Sequence, residues 1–130
     1  MDEFVGYRNG DWVPVSKILP DPKDRGPSMG DQVTEMVRTF DGKSFRMRDH
    51  IDRLYKSLKY TRIDPGLTAD EMYEVSEEGI RRNEHLRPAG GDISLSHIVS
   101  RGPGGPRAWA AGPPNVFIRY SPMSYGMFGD

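Results

Sequence analysis

Between Asp92 and Arg101 apolar and polar positions alternate, with Ile93, Leu95, His97 and Val99 on one side and Ser94, Ser96, Ile98 and Ser100 on the other. That period of two predicts a strand with one buried face. Val33–Phe40 is rich in β-branched and apolar residues and reads as a second strand. Asp41-Gly42 turns it into Lys43–Met47, and Asn9-Gly10 likewise joins Phe4–Arg8 to Trp12–Val15, so two hairpins are expected. Asn115–Ser121 alternates more weakly and supplies a last strand.

In the middle of the chain the period lengthens. Ile51, Leu54, Tyr55 and Leu58 recur at i, i+3, i+4 and i+7, the stripe of an amphipathic helix. Asp49 is the expected N-cap, the helix should run to about Arg62, and Asp64-Pro65-Gly66 stops it. Thr68 and Glu71 form a capping box for a second helix over Ala69–Asn83, whose inner face is Met72, Val75, Gly79 and Ile80. Runs of strands around a helix pair predict an antiparallel α+β domain, a sheet with both helices on one face.

One residue escapes these patterns. Arg53 lies roughly 150° around the helical wheel from the stripe, at about 100° per residue. On a lone helix such a side chain simply faces water.

Composition narrows the class. A chain of 130 residues builds one domain with one modest core. A formal charge of −1 gives no electrostatic reason to bind nucleic acid or an anionic membrane. No apolar run approaches the ~20 residues of a membrane helix, and the start has neither a basic nor an apolar leader region, so a cytoplasmic protein is expected. With no cysteine, disulfides and thiolate metal sites are excluded. Gly and Pro gather in residues 20–30 and 101–114, both expected to be loops, and the tail from Tyr120 onward is expected to be poorly ordered.

Local chemistry is sparse. Gly26-Pro27-Ser28-Met29-Gly30 has the spacing of a nucleophile elbow, but a Pro-rich loop precedes it and a strand follows, where the elbow needs a strand and then a helix. His50, His85 and His97 have no metal-ligand spacing, and His97 is expected to be a satisfied, semi-buried side chain. Arg101-Gly102-Pro103-Gly104-Gly105-Pro106-Arg107 reads as an interstrand loop, since its prolines remove donors from any anion cradle.

Taken in order, Asp24-Arg25-Gly26, Gly30-Asp31, Val33 to Gly42, Phe45-Arg46 and His50-Ile51-Asp52-Arg53-Leu54 resemble the class IV (fold-type IV) pyridoxal-phosphate enzymes. That family includes branched-chain and D-amino-acid aminotransferases, R-selective amine transaminases and aminodeoxychorismate lyases. The resemblance implies that residues 1–121 are the small N-terminal domain and that 122–130 are the start of an interdomain linker or a disordered tail. It implies that Arg53 binds the phosphate of pyridoxal phosphate, a role suited to a planar, permanently charged fork. Met29, Thr34, Met36, Arg38, Arg107 and Trp109 become the substrate-binding candidates, with Thr34, Met36 and Arg38 on one strand face. The match is not complete. Branched-chain members tend to show an aromatic and then Glu-Gly where this chain has Thr34-Glu35-Met36. D-amino-acid members carry Arg-x-His where it has Arg107-Ala108-Trp109.

Family chemistry also needs a lysine that holds the cofactor and shuttles a proton. None of Lys17, Lys23, Lys43, Lys56 and Lys59 occupies that position. The resemblance therefore implies a missing C-terminal cofactor domain, a homo-oligomer, and small-molecule substrates, an amino donor and a 2-oxo acid. The alternative is a stand-alone, non-catalytic binding or assembly module.

Overall fold

A computed structural model of the chain describes residues 2–105, 107 and 111–125. The strands are β1 (Val5–Arg8), β2 (Asp11–Pro14), β3 (Gln32–Phe40), β4 (Lys43–Ser44), β5 (Asp92–Ser100) and β6 (Asn115–Met123). The helices are α1 (Arg25–Met29), α2 (Met47–Thr61) and α3 (Ala69–Asn83). The strands form one antiparallel sheet in the order β2-β1-β6-β5-β3-β4. An α+β domain was the expectation, and this is one.

Both hairpins turn on paired positive-φ residues, Asn9 (50°) with Gly10 (101°) and Asp41 (54°) with Gly42 (81°). Positive φ at both central positions matches the right-handed twist of the joined strands. The Thr68 capping box forms in full, and α3 runs over the expected residues. Ile51, Leu54 and Leu58 of α2 and Met72 and Ile80 of α3 are buried against Val33, Val37, Ile93, Leu95, Val99 and Ile118 of the sheet. α2 and α3 thus cover one face; on the other, Ile18, Pro20 and Pro27 pack over the part of the sheet that carries Ile98 and Phe117, and the part around Thr34 and Met36 stays open.

Four expectations need correction. The helix α2 starts at Met47, not after an Asp49 cap, and β4 ends at Ser44 instead of reaching Met47. Arg46 adopts a left-handed conformation (φ 55°) that ends the strand, Met47 buries its side chain, and Asp49 in the first turn instead holds the Arg46 Nε at 2.7 Å. Within the first Gly/Pro segment, Arg25–Met29 forms a short helix capped by the Asp24 carboxylate and closed by Gly30 at φ 68°. The last strand continues to Met123, because Ile93 and Asp92 offer partners to Pro122 and Met123. His97 is fully buried instead of semi-buried, and only one ring nitrogen is satisfied: Nε2 lies 2.7 Å from Ser76 Oγ, while Nδ1 has no partner among the described residues.

Burial pushes the His97 pKa from 6.5 down to about 4. The unfolded chain therefore binds a proton that the native state refuses, so stability is full above pH 6.5 and falls as pH drops toward 4. Denaturant unfolding is expected to lose about 2 kcal/mol between pH 7 and pH 5 from this group alone. A free energy flat across that window would contradict the burial of a neutral His97.

Candidate active site

Along β3 the inward positions are Val33, Glu35, Val37 and Thr39. A carboxylate among them must find partners, because an unpaired buried charge is costly. Glu35, 7% exposed, finds two on α2. Arg53 Nε donates to its Oε2 at 2.9 Å, a second Arg53 N–H donates to Oε1, and His50 Nδ1 lies 2.7 Å from Oε1. Burial alone would raise the Glu35 pKa, but the hydrogen bonds and charges of Arg53 and His50 outweigh it and hold the carboxyl below its ordinary value. His50 faces an ionised oxygen and so donates through Nδ1.

Arg53 itself remains 69% exposed at the side chain. Although Arg53 lies off the apolar stripe of α2, its guanidinium reaches Glu35. The fork has five N–H donors, so two bonds to Glu35 leave three for another group. Glu35 thus fixes the guanidinium plane while its outer edge can hold an oxyanion. Glu35 was legible as a charged residue on the inward side of a strand, a pattern that demands a cation nearby.

The substrate candidates Thr34, Met36 and Arg38 occupy the opposite, open face of the sheet, where Thr34 and Met36 are exposed. Gln32–Val37 has β5 on one side and no strand on the other among the described residues. Arg53 and the open face therefore flank the same free edge. Arg38 is already engaged: its guanidinium lies 3.7 Å from the Phe40 ring centre and 3.7 Å from Asp92, and it contacts the Tyr125 hydroxyl. Met29 ends α1, 55% exposed, and Arg107 is exposed in the β5–β6 loop. Trp109 lies outside the described residues.

Further across the open face is a cavity of about 200 Å³, walled by Ile18, Pro20, Pro27, Ile98 and Phe117, with Arg119 and Ser100 at its polar side. Arg119 did not figure among the candidates. The weak alternation of Asn115–Ser121 placed it opposite the inward Val116, Ile118 and Tyr120, the signal that could have found it.

Other motif residues prove to be braces. Asp24, fully buried, accepts from Gly26 N, Ser100 Oγ and Asn115 Nδ2 at 2.7–2.8 Å. Asp31 takes Arg25 Nε at 2.8 Å and Arg101 Nε at 2.7 Å, and Arg101 also donates to the Thr61 carbonyl at the end of α2. Arg101 is thus a structural clamp, with no anion to hold. Ser28 Oγ donates to the Asp24 carbonyl, which leaves its proton with a backbone oxygen. No group of three or more metal-ligating side chains occurs among the described residues.

A family model described as amino-transferase class IV matches residues 32–128. A Methanocaldococcus jannaschii protein named "Putative branched-chain-amino-acid aminotransferase" is 38% identical over 119 residues, covering 90% of this chain and 40% of that protein. A D-alanine aminotransferase of Staphylococcus haemolyticus is 31% identical over 77 residues, 59% of this chain and 27% of the relative. The chain therefore spans well under half the length of these relatives. Among solved structures, the T.th. branched-chain amino acid aminotransferase with pyridoxamine 5'-phosphate superposes with a TM-score of 0.81 at 19% identity, covering 95% of this chain and 41% of that one.

Proposed function

The chain belongs to the amino-transferase class IV family, and from that premise we propose that it is the N-terminal half of an enzyme moving an amino group between an amino acid or amine and a 2-oxo acid. Pyridoxal phosphate is the cofactor, bound fully only when a second, lysine-bearing domain is present. The domain takes in residues 1–121 together with Pro122 and Met123, the last residues of β6, and the rest of 122–130 leads out of it. The working enzyme is a cytoplasmic homodimer.

The observation that carries this reading is the Arg53 guanidinium, held in plane by buried Glu35 with donors left for an oxyanion. These residues fit a phosphate ester. Arg53 would hold the phosphate oxygens, Glu35 and His50 would fix the guanidinium in place, and neither acid nor imidazole would touch the reacting carbon. When bound, the cofactor supplies the electron sink for deprotonation beside the amino group. Thr34, Met36 and Arg38 would line the substrate side from the open face, with Met29, Arg107 and Trp109 contributed by the loops. The chain alone is inactive, because the proton-shuttling lysine lies elsewhere.

Borohydride reduction of the cofactor-loaded complete enzyme, followed by peptide mapping, tests this. The label is expected on one lysine outside these 130 residues. Labelling of Lys17, Lys23, Lys43, Lys56 or Lys59, or no cofactor absorbance at all, would overturn the assignment.

A further inference from the structure

We propose that the aromatic pair Phe40 and Phe45, at the end of β3 and just beyond β4, is the surface on which the lysine-bearing C-terminal domain of the same polypeptide docks; this rests on the aminotransferase reading. The two rings meet edge to face with centroids 5.2 Å apart, yet Phe40 is 50% and Phe45 52% exposed. Neither is carried on a loose loop. Phe40 ends β3, and the Phe45 N–H donates to the Arg38 carbonyl of that strand at 2.9 Å. Single exposed apolar side chains are ordinary on a folded domain, whereas rings set together mark a surface that something covers.

The chemistry of the patch calls for an apolar complement. Its guanidinium, Arg38, lies 3.7 Å from the Phe40 ring centre and 5.4 Å from that of Tyr125, and Asp92 neutralises it at 3.7 Å. Two half-exposed rings offer roughly 200 Å², against the ~600 Å² or more of an interdomain contact, so they are its aromatic anchor and not the whole of it. The path of the chain decides the occupant. β6 ends at Met123, opposite Asp92, and two residues later the Tyr125 hydroxyl donates to Asp92 at 3.0 Å and contacts Arg38. The polypeptide leaving the domain is thus held against the patch, and over half of each matched relative lies outside the part aligned with this chain. A domain tethered at that point meets the rings at a far higher effective concentration than a separate copy does.

The test introduces a photo-reactive ring, Phe45→p-benzoylphenylalanine, into the complete enzyme and irradiates it. The expected product keeps the mass of one polypeptide and is cross-linked from position 45 to a peptide beyond residue 130. A product of twice that mass would give the patch to a second copy, and no adduct, or one confined to residues 1–130, would leave it facing solvent; each of these overturns the proposal. Phe45→Cys reports coverage independently of that variant. Maleimide labelling at this site, followed by peptide mass, is expected to be roughly 100-fold or more slower in the folded enzyme than in urea. A difference of only a few-fold would also overturn the proposal. Pyridoxal phosphate uptake, read by absorbance, is recorded on the same samples: its failure would strike at the aminotransferase reading, while the cross-link would still decide what covers Phe45.

Discussion

Gly79→Ala is expected to destabilise the domain by roughly 3–4 kcal/mol, at the upper end of what overpacking costs. A Cβ built on Gly79 would lie 1.9 Å from Tyr120 Cζ and 2.0 Å from its hydroxyl oxygen, deep inside the ring's van der Waals surface. Neither partner can yield cheaply. Tyr120 is 1% exposed and its hydroxyl donates to the Ser76 carbonyl at 2.8 Å, so the ring is pinned to the backbone of α3. Gly79 is thus the point at which α3 docks on β6. Thermal unfolding should fall by roughly 10 °C or more for a domain of this size. Adding Tyr120→Leu should recover part of the loss by giving the methyl room. A melting temperature within a degree or two of wild type would show that α3 does not sit this close to the sheet.

Much of this fold could be read from the chain, for local reasons. Asn9-Gly10, Asp41-Gly42 and the Thr68–Glu71 capping box specify their turns and helix start by chemistry contained within a few residues. What could not be read depended on distant partners. Arg46 takes a left-handed conformation because Met47 is drawn into the core. The closeness of α3 to Tyr120 shows in the sequence only as a glycine on a helix face. The same division holds for the site. The H-x-x-R-L resemblance singled out Arg53, but Glu35, which orients it, lies 18 residues earlier and became a partner only once β3 and α2 were packed. Arg101 looked like loop chemistry and proved to be a clamp for the same reason: its partners Asp31 and Thr61 are remote in sequence.

The largest functional effect is expected from Arg53→Ala in the complete enzyme, a loss of roughly 100-fold or more in pyridoxal phosphate affinity. Two contributions act together. The phosphate loses charge-assisted hydrogen bonds, and Glu35 loses the guanidinium that shields its charge from an incoming dianion. With Arg53 absent, only His50 is left to pair the buried carboxylate. The Glu35 pKa should then rise from its lowered position, because burial is no longer offset by the arginine. Arg53→Lys should fall between wild type and Arg53→Ala, since an ammonium keeps the charge but cannot serve Glu35 and phosphate with one rigid fork. Glu35→Gln, which keeps an acceptor and removes the charge, separates the two contributions: any change it causes belongs to orientation and shielding alone.

The most direct test of the central claim is phosphorus NMR of the bound cofactor in the complete enzyme, compared between wild type and Arg53→Lys at saturating cofactor. If Arg53 holds the phosphate, the resonance shifts in the variant and its pH titration moves, because the charge and hydrogen bonds around the oxyanion have changed. A phosphate resonance and titration identical in both proteins would mean that Arg53 faces solvent after all.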